Sequence, residues 1–395
     1  MFEFLRAERR WLGAGLLLTF ASGFGQTWFI ALFGGEIRAS LGLSDGGWGL
    51  VYGGATLAAA AALFLRGALA DTMPLGRLGP ATALVFAASA ALLAATGSIW
   101  TLALAVFGLR LCGQGMFSHI AMTAMGRWFR ARRGRAVSVV LLGYSLAEVA
   151  LVLPTVLLMG AIGWRATLVV AAALLAFVVA PALARLLARD RAPVSAAEAA
   201  LPTTGLGGRD WTRVEALRHW LFWALLPFLL APPFVGTLFF FQQVHVAETK
   251  GWTLAAMAAG YPVYAGATVA SALAAGWAAD RFGPATLLPL LLAPMAAGAL
   301  LLGPATTPAG WILAFGLTGP TQGMAGALWG ALLPAAYGAR RLGAIRALAT
   351  TLMVVSSAVA PAVSGVLIDR GVDFPRQAGV MGLVCLGLCG LGLLV

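Results

Sequence analysis

The sequence predicts an all-α membrane protein of twelve transmembrane helices, arranged as two pseudo-symmetric six-helix bundles around a central cavity. Hydrophobic residues make up 61% of the 395 residues and charged residues only 10%, which is more apolar surface than a soluble core buries. Apolar segments recur about twelve times, and motifs of the first half recur in the second. The net charge of +12 comes mainly from arginines between these segments, so it indicates membrane topology and not nucleic-acid binding.

Hydropathy, punctuated by glycine, proline and charge, places the spans in chain order. The first six are 11–33, 47–70, 79–99, 101–126, 136–160 and 166–188. The last six are 219–246, 254–278, 285–303, 309–333, 346–369 and 377–395. The only long polar stretch separates the two sets. We therefore predict an N-terminal bundle over 1–188, a cytoplasmic linker over 189–218 and a C-terminal bundle over 219–395.

The distribution of basic residues predicts the orientation of the chain. One side carries the N-terminal arginines, the arginine-rich loop after the fourth span and the linker. The other side carries only Arg38, Arg165, Lys250, Arg370 and Arg376. Because basic loops stay in the cytoplasm, both termini are expected there, in a multi-pass protein of a bacterial-type cytoplasmic (inner) membrane.

The two halves share motifs in the same order. In the first half we find VYGGAT at 51–56, GALAD at 67–71, LGPAT at 78–82 and QGM at 114–116. In the second we find VYAGAT at 263–268, GWAAD at 276–280, FGPAT at 282–286 and QGM at 322–324. One six-helix unit is therefore predicted to occur twice in parallel orientation.

These motifs resemble the major facilitator superfamily of transporters over nearly the whole chain. The loop signature of that family is similar to Gly276, Asp280, Arg281 and Gly283, and more loosely to Gly67, Asp71, Gly76 and Arg77. Arg110 and the glycines after it resemble the arginine motif of the family's fourth helix, with Gln114 one position late. Segments at the starts of the fifth and eleventh spans are similar to the monocarboxylate and oxalate/formate branch. The resemblance implies a secondary transporter that commonly works as a monomer.

Two ionisable residues near the middles of neighbouring spans mark the predicted site. Arg110 keeps its charge, and its guanidinium can hold a carboxylate with two parallel hydrogen bonds. Gln114 and Phe117 are predicted on the same helix face as Arg110, and Tyr144 on the same face as Glu148. We expect Glu148 to meet Arg110 and to carry a coupling proton. A purely structural pair of the two charges is the alternative.

Polar side chains on other spans predict further contacts with a small polar substrate. These residues are Gln26, Tyr261, Tyr264, Gln322, Trp329 and Thr350. His245, near the outer end of the seventh span, is a predicted proton entry or outer gate, or alternatively an interfacial helix end.

A cytoplasmic latch is the hypothesis for the repeated loop motif. The glycine permits close helix packing, and the aspartate one turn later faces arginines of the opposite half in the family that the chain resembles. The predicted gating residues are Gly67, Asp71, Arg77, Gly276, Asp280, Arg281 and Arg346. Plain topology charge is the alternative.

Replacement of Asp280 by asparagine tests the latch. Loss of its negative charge should shift the balance between inward-open and outward-open forms and change the uptake rate. Accessibility labelling at both faces, together with uptake, measures this. An unchanged balance with unchanged uptake would refute the hypothesis.

The predicted function is secondary active transport of a small organic anion, a monocarboxylate, by alternating access with a proton. The sequence has no nucleotide-binding loop, metal-ligand cluster or nucleophile triad, and its three cysteines lie inside predicted spans. We therefore predict no enzyme activity, no cofactor and no metal. Two alternatives remain: a proton-antiport exporter of amphipathic compounds, and a transporter-like scaffold that transports nothing.

Overall fold

The computed structural model of the protein describes residues 2–66, 69–129, 133–188, 205–338 and 342–393. In these ranges, ten helices are long and apolar enough to cross a membrane. The two other predicted spans are also helical, over Gly260–Phe282 and Pro308–Tyr337. Glycine, proline and polar side chains make these two less apolar. The predicted all-α fold with twelve membrane-spanning helices is confirmed.

The helices begin and end within a few residues of the predicted spans. In the first half they are Arg9–Leu32, Asp45–Arg66, Leu75–Ala94, Ile99–Trp128, Arg133–Ile162 and Trp164–Leu186. In the second half they are Trp220–Phe241, Gly260–Phe282, Pro284–Leu302, Pro308–Tyr337, Leu342–Asp369 and Phe374–Gly392. Shorter helices are Phe2–Ala7, Gly34–Leu41, Leu69–Thr72, Arg213–Arg218, Gln243–Lys250 and Leu254–Ala258.

The chain forms two compact units. One consists of Met1–Ser44 and Leu50–Ala199, and the other of Asp45–Gly49 and Ala200–Val395. Residues 189–204 of the predicted linker lie outside the described ranges. The rest of the linker packs on the second unit, where the Trp211 amide donates to the Tyr337 carbonyl at 3.0 Å.

Close helix packing in the second unit depends on small residues of the tenth span. A Cβ at Gly319 would collide with the Tyr264 carbonyl, and one at Gly323 with the Thr268 carbonyl. Thr268 Oγ1 also donates to the Gly319 carbonyl at 3.2 Å. The eighth and tenth spans therefore approach at backbone distance, as small residues allow in membrane helices.

Candidate functional site

The first span is broken where the candidate site forms. A 3₁₀ turn over Ser22–Gly25 is followed by Gln26 in an extended conformation, with φ −77° and ψ 157°, and the helix resumes at Thr27–Leu32. Such a break leaves backbone carbonyls without intrahelical partners, and these must find other donors inside a membrane. Gln26 itself is half-buried, and its Nε2 donates to Ser22 Oγ at 3.5 Å.

Arg110 supplies a donor at this break. Its Nη1 donates to the Gly25 carbonyl at 3.1 Å and to Thr27 Oγ1 at 3.3 Å. The guanidinium also lies over the Tyr52 ring, 5.4 Å from its centroid, and Tyr52 donates to Thr27 Oγ1 at 2.8 Å. Arg110 is only 3% exposed. The prediction that it faces an open cavity and meets Glu148 is therefore wrong for this conformation.

A glycine crossing brings Arg110 to the break. A Cβ at Gly25 would collide with the Leu109 carbonyl, and one at Gly113 would lie 2.7 Å from the Gly25 Cα. The first and fourth spans thus touch backbone to backbone, which side chains at these positions would prevent. Sequence reasoning missed Gly25, Thr27 and Tyr52 as partners of Arg110. The glycines flanking Phe24 and the glycine at 113 were the available signal.

The fourth span changes its helical type at the arginine. Arg110–Phe117 is π-helical, between α-helices on both sides. A π-helix bonds residue i to i+5 and has more residues per turn than an α-helix, so residues seven apart no longer lie on the same face. Phe117 is fully buried and packs edge-on against Phe86, with centroids 5.5 Å apart. The prediction that Phe117 shares a face with Arg110 is therefore wrong, and Phe117 belongs to the packed core.

A polar face connects the fourth and fifth spans. The Tyr144 hydroxyl hydrogen-bonds with the Ser118 side chain. Because consecutive spans run antiparallel, the residue one turn after Tyr144 and the residue one turn before Ser118 lie at the same depth. These residues are Glu148 and Gln114. Both are half-buried, and neither has a hydrogen bond or ion pair with any described residue.

Two ionisable side chains of opposite type, in the part of the first unit that the structure describes, thus have no partner of opposite charge. Arg110 contacts a carbonyl, a hydroxyl and a ring, and no acidic side chain among the described residues pairs with it. Its Nε is buried without a hydrogen-bond partner in the same ranges. Glu148 has no basic partner in the part of the chain that the structure describes. Ionised groups inside a membrane are costly unless compensated, so both positions favour a ligand of opposite charge.

The predicted tyrosines of the second unit lie in an aromatic core. Tyr264 stacks on Phe315 with centroids 4.7 Å apart, and Tyr261 is 1% exposed. The Tyr261 hydroxyl donates to Gln243 Oε1 at 2.9 Å. Both side chains therefore pack between helices in this conformation, and the expectation that they line a cavity is wrong for it.

The other predicted contacts of the second unit have different environments. Gln322 Nε2 donates to the Pro232 carbonyl at 3.0 Å, in the proline-containing part of the seventh span. Trp329 is 8% exposed, and its Nε1 has no acceptor among the described residues. Thr350 is exposed on the eleventh span. Only Trp329 therefore presents a buried polar atom that a ligand can still satisfy.

His245 lies beside an acidic residue of the second unit. Its Nδ1 is 4.0 Å from Asp45 Oδ1, and its Nε2 is 3.2 Å from Thr249 Oγ1. Next to Asp45, the Gly46 amide donates to Asp369 Oδ2 at 3.1 Å. These contacts place His245 in a polar cluster at one end of the seventh span.

The predicted gating residues are only partly described. Gly67 and the Asp71 side chain lie outside the described part. Arg77, Asp280, Arg281 and Arg346 are exposed, and Arg346 Nη2 donates to the Gly330 carbonyl at 3.0 Å. A Cβ at Gly276 would meet no described atom within 4 Å. The predicted close helix crossing at Gly276 is therefore not found in the described ranges.

Comparisons with known proteins identify one family and solved structures of similar fold. The sequence profile of the Major Facilitator Superfamily matches residues 15–361. A bacterial homologue of the human lysosomal transporter Spinster, inward-facing and unoccupied, shares 17% identity over 97% of this chain and 91% of that chain, with a TM-score of 0.69. The nucleoside transporter NupG shares 13% identity over 97% and 98%, with a TM-score of 0.71. No curated protein matches the chain.

Proposed function

We propose that this chain, which belongs to the Major Facilitator Superfamily of membrane transporters, carries a small organic anion of the monocarboxylate class together with a proton. The protein is a multi-pass membrane carrier and not an enzyme. We also propose that it works by alternating access as a monomer, in the inner membrane and with both termini in the cytoplasm.

The observation that carries the proposal is the pair of ionisable side chains in the first unit that have no described partner of opposite charge. Arg110 is a buried cation without a described acidic partner, and Glu148 is a half-buried carboxyl without a described partner. A carboxylate bound at Arg110 and a proton bound at Glu148 would each cancel one charge. With both ligands bound, neither position would carry a net charge. The free-energy cost of keeping these two groups inside the membrane during transport would therefore be lower. Anion and proton are therefore expected to travel together.

The geometry also defines what the substrate must displace. Arg110 donates to Gly25 and Thr27, so a substrate carboxylate has to replace a carbonyl and a hydroxyl as acceptors. The exchange is favourable because bonds to an ionised acceptor are stronger than bonds to neutral ones. We propose that the first span bends at the break at Gln26 when the substrate enters. We propose that Gln114 and Tyr144 contact the rest of a small polar molecule.

Proteoliposomes test this function directly. With an alkaline interior, radiolabelled lactate should accumulate saturably above the level of protein-free vesicles, and a protonophore should abolish the accumulation. At one proton per anion, a gradient of about one pH unit sustains about tenfold accumulation, because both ratios represent the same free energy. The Glu36→Gln variant, which changes an exposed glutamate outside the spans, is the matched control.

The same vesicles separate the alternatives. If the vesicles show proton-dependent efflux of a cationic dye such as ethidium and no lactate flux, the protein is a proton-antiport exporter and the proposal is wrong. Glu148 would then be the residue that binds the cation. Absence of flux for lactate and ethidium, with co-purification of another protein, would favour a non-transporting scaffold.

A further inference from the structure

A cleft in the second unit lies outside the site described above. It occupies about 240 Å³ and is lined by Arg209, Trp211, Glu215, Arg218 and His219. These residues form the end of the polar segment that precedes the seventh span and the short helix Arg213–Arg218. The volume is below that of typical drug-sized pockets, so the cleft suits a small group.

The floor of the cleft is held in place by local bonds. Trp211 Nε1 donates to the Leu206 carbonyl at 3.0 Å, and the ring packs edge-on against His219 and Tyr337. A capping box fixes the start of the short helix, because Glu215 accepts from both the amide and the hydroxyl of Thr212 at 2.7 Å. A ligand therefore meets a preformed surface and orders little on binding.

The acidic groups near the cleft are already engaged. Glu215 accepts two hydrogen bonds from Thr212 and lies 3.6 Å from Arg209, which also stacks 4.2 Å from the Trp211 ring centroid. Asp210 lies against Gly338 and does not line the cleft. The cleft thus presents no carboxylate that is free of hydrogen bonds.

Donors remain available for an anion. Arg218 is exposed and has no hydrogen bond or ion pair with any described residue. His219 Nδ1 accepts the Leu221 amide at 3.3 Å, which puts the proton of the neutral ring on Nε2. Arg218 and His219 thus offer donors to one acceptor group, and a guanidinium matches the geometry of phosphate oxygens.

Two exposed tryptophans mark the depth of the cleft in the membrane. Trp220 and Trp223, at the start of the seventh span, are 62% and 56% exposed. Tryptophan concentrates at the level of lipid headgroups, and basic clusters beside membrane helices bind acidic headgroups. We propose that the cleft binds a phosphate group through Arg218 and His219, carried by an anionic lipid or by a soluble phosphate.

Binding by the full-length protein in detergent tests this proposal. Native mass spectrometry would count bound phosphatidylglycerol and phosphatidylcholine, and melting temperature would report inorganic phosphate. Removal of one charge-assisted contact in Arg218→Gln should weaken phosphatidylglycerol binding about tenfold. Arg213→Gln is the matched control, because Arg213 lies on the same helix, is exposed and does not line the cleft.

The outcomes distinguish the sources of the phosphate. Preference for phosphatidylglycerol over phosphatidylcholine, lost only in Arg218→Gln, supports the proposal with a lipid ligand. Stabilisation by inorganic phosphate that displaces the lipid, again lost only in Arg218→Gln, supports it with a soluble ligand. Equal binding by wild type and both variants, or equal losses in both variants, would overturn it. Lactate transport does not enter this test, so its result is independent of the proposed function.

Discussion

Replacement of Arg110 by alanine is expected to reduce lactate exchange in proteoliposomes at least about 100-fold, because the proposed anion loses a charge-assisted, two-point contact. The same change leaves the Gly25 carbonyl without the donor that it has now. A buried acceptor without a partner costs about 1–3 kcal/mol. The alanine variant should therefore also melt at a lower temperature.

The glutamine variant separates the two effects. In Arg110→Gln, the positive charge is gone, while the shorter side chain keeps an amide that can donate to the Gly25 carbonyl through a bridging water. We expect its melting temperature to lie close to that of the wild type and its lactate exchange to be as low as in Arg110→Ala. Exchange near the wild-type rate in Arg110→Gln would show that the arginine only caps the break in the first span. The anion site would then lie elsewhere.

Replacement of Glu148 by glutamine is expected to abolish accumulation of lactate against its gradient while exchange of lactate across the membrane continues. The amide fills the same space but cannot take up or release a proton. The carrier therefore no longer couples transport to the proton gradient, although it still moves lactate across the membrane. The difference between gradient-driven uptake and exchange in the same vesicles measures this. Accumulation should fall from about tenfold to the level of protein-free vesicles.

Two further variants sharpen the Glu148 experiment. Glu148→Asp keeps a titratable carboxyl and should retain part of the accumulation. Tyr144→Phe removes the hydroxyl that bonds Ser118 one turn away but leaves the carboxyl in place, so its coupling ratio should not change. Full accumulation by Glu148→Gln would exclude this residue as the proton carrier. His245 would then become the group to test.

The spans could be predicted because the bilayer sets their length and composition. The predicted fourth span, 101–126, corresponds to Ile99–Trp128, and the predicted eleventh, 346–369, to Leu342–Asp369. The third and eighth spans shifted most, from 79–99 to Leu75–Ala94 and from 254–278 to Gly260–Phe282. The loop that follows the third span, residues 95–98, is short and carries no charge between two apolar helices, so hydropathy alone does not mark the end of the helix.

The sequence analysis identified the two ionisable residues of the site but not the residues that they contact. A charge inside a span is visible in the sequence, so Arg110 and Glu148 were found. Their neighbours were not, because a helical wheel assumes an unbroken α-helix. The first span breaks at Gln26 and offers Gly25 to the arginine, and the fourth span leaves α-geometry at Arg110. The cavity role predicted for Tyr261 was wrong for a different reason, since hydroxyl groups also bond between packed helices, as the Tyr261 hydroxyl does to Gln243.

The wide helical turn over Arg110–Phe117 also affects comparison with relatives. A π-helical segment accommodates an inserted residue without lengthening a loop, since the extra residue bulges from the helix. Gln114 stands one place later than in the family motif, as expected if this chain carries such an insertion in its fourth span. Alignments that assume uniform α-geometry would then assign every role from Gln114 onward in that span to a position one residue out of register.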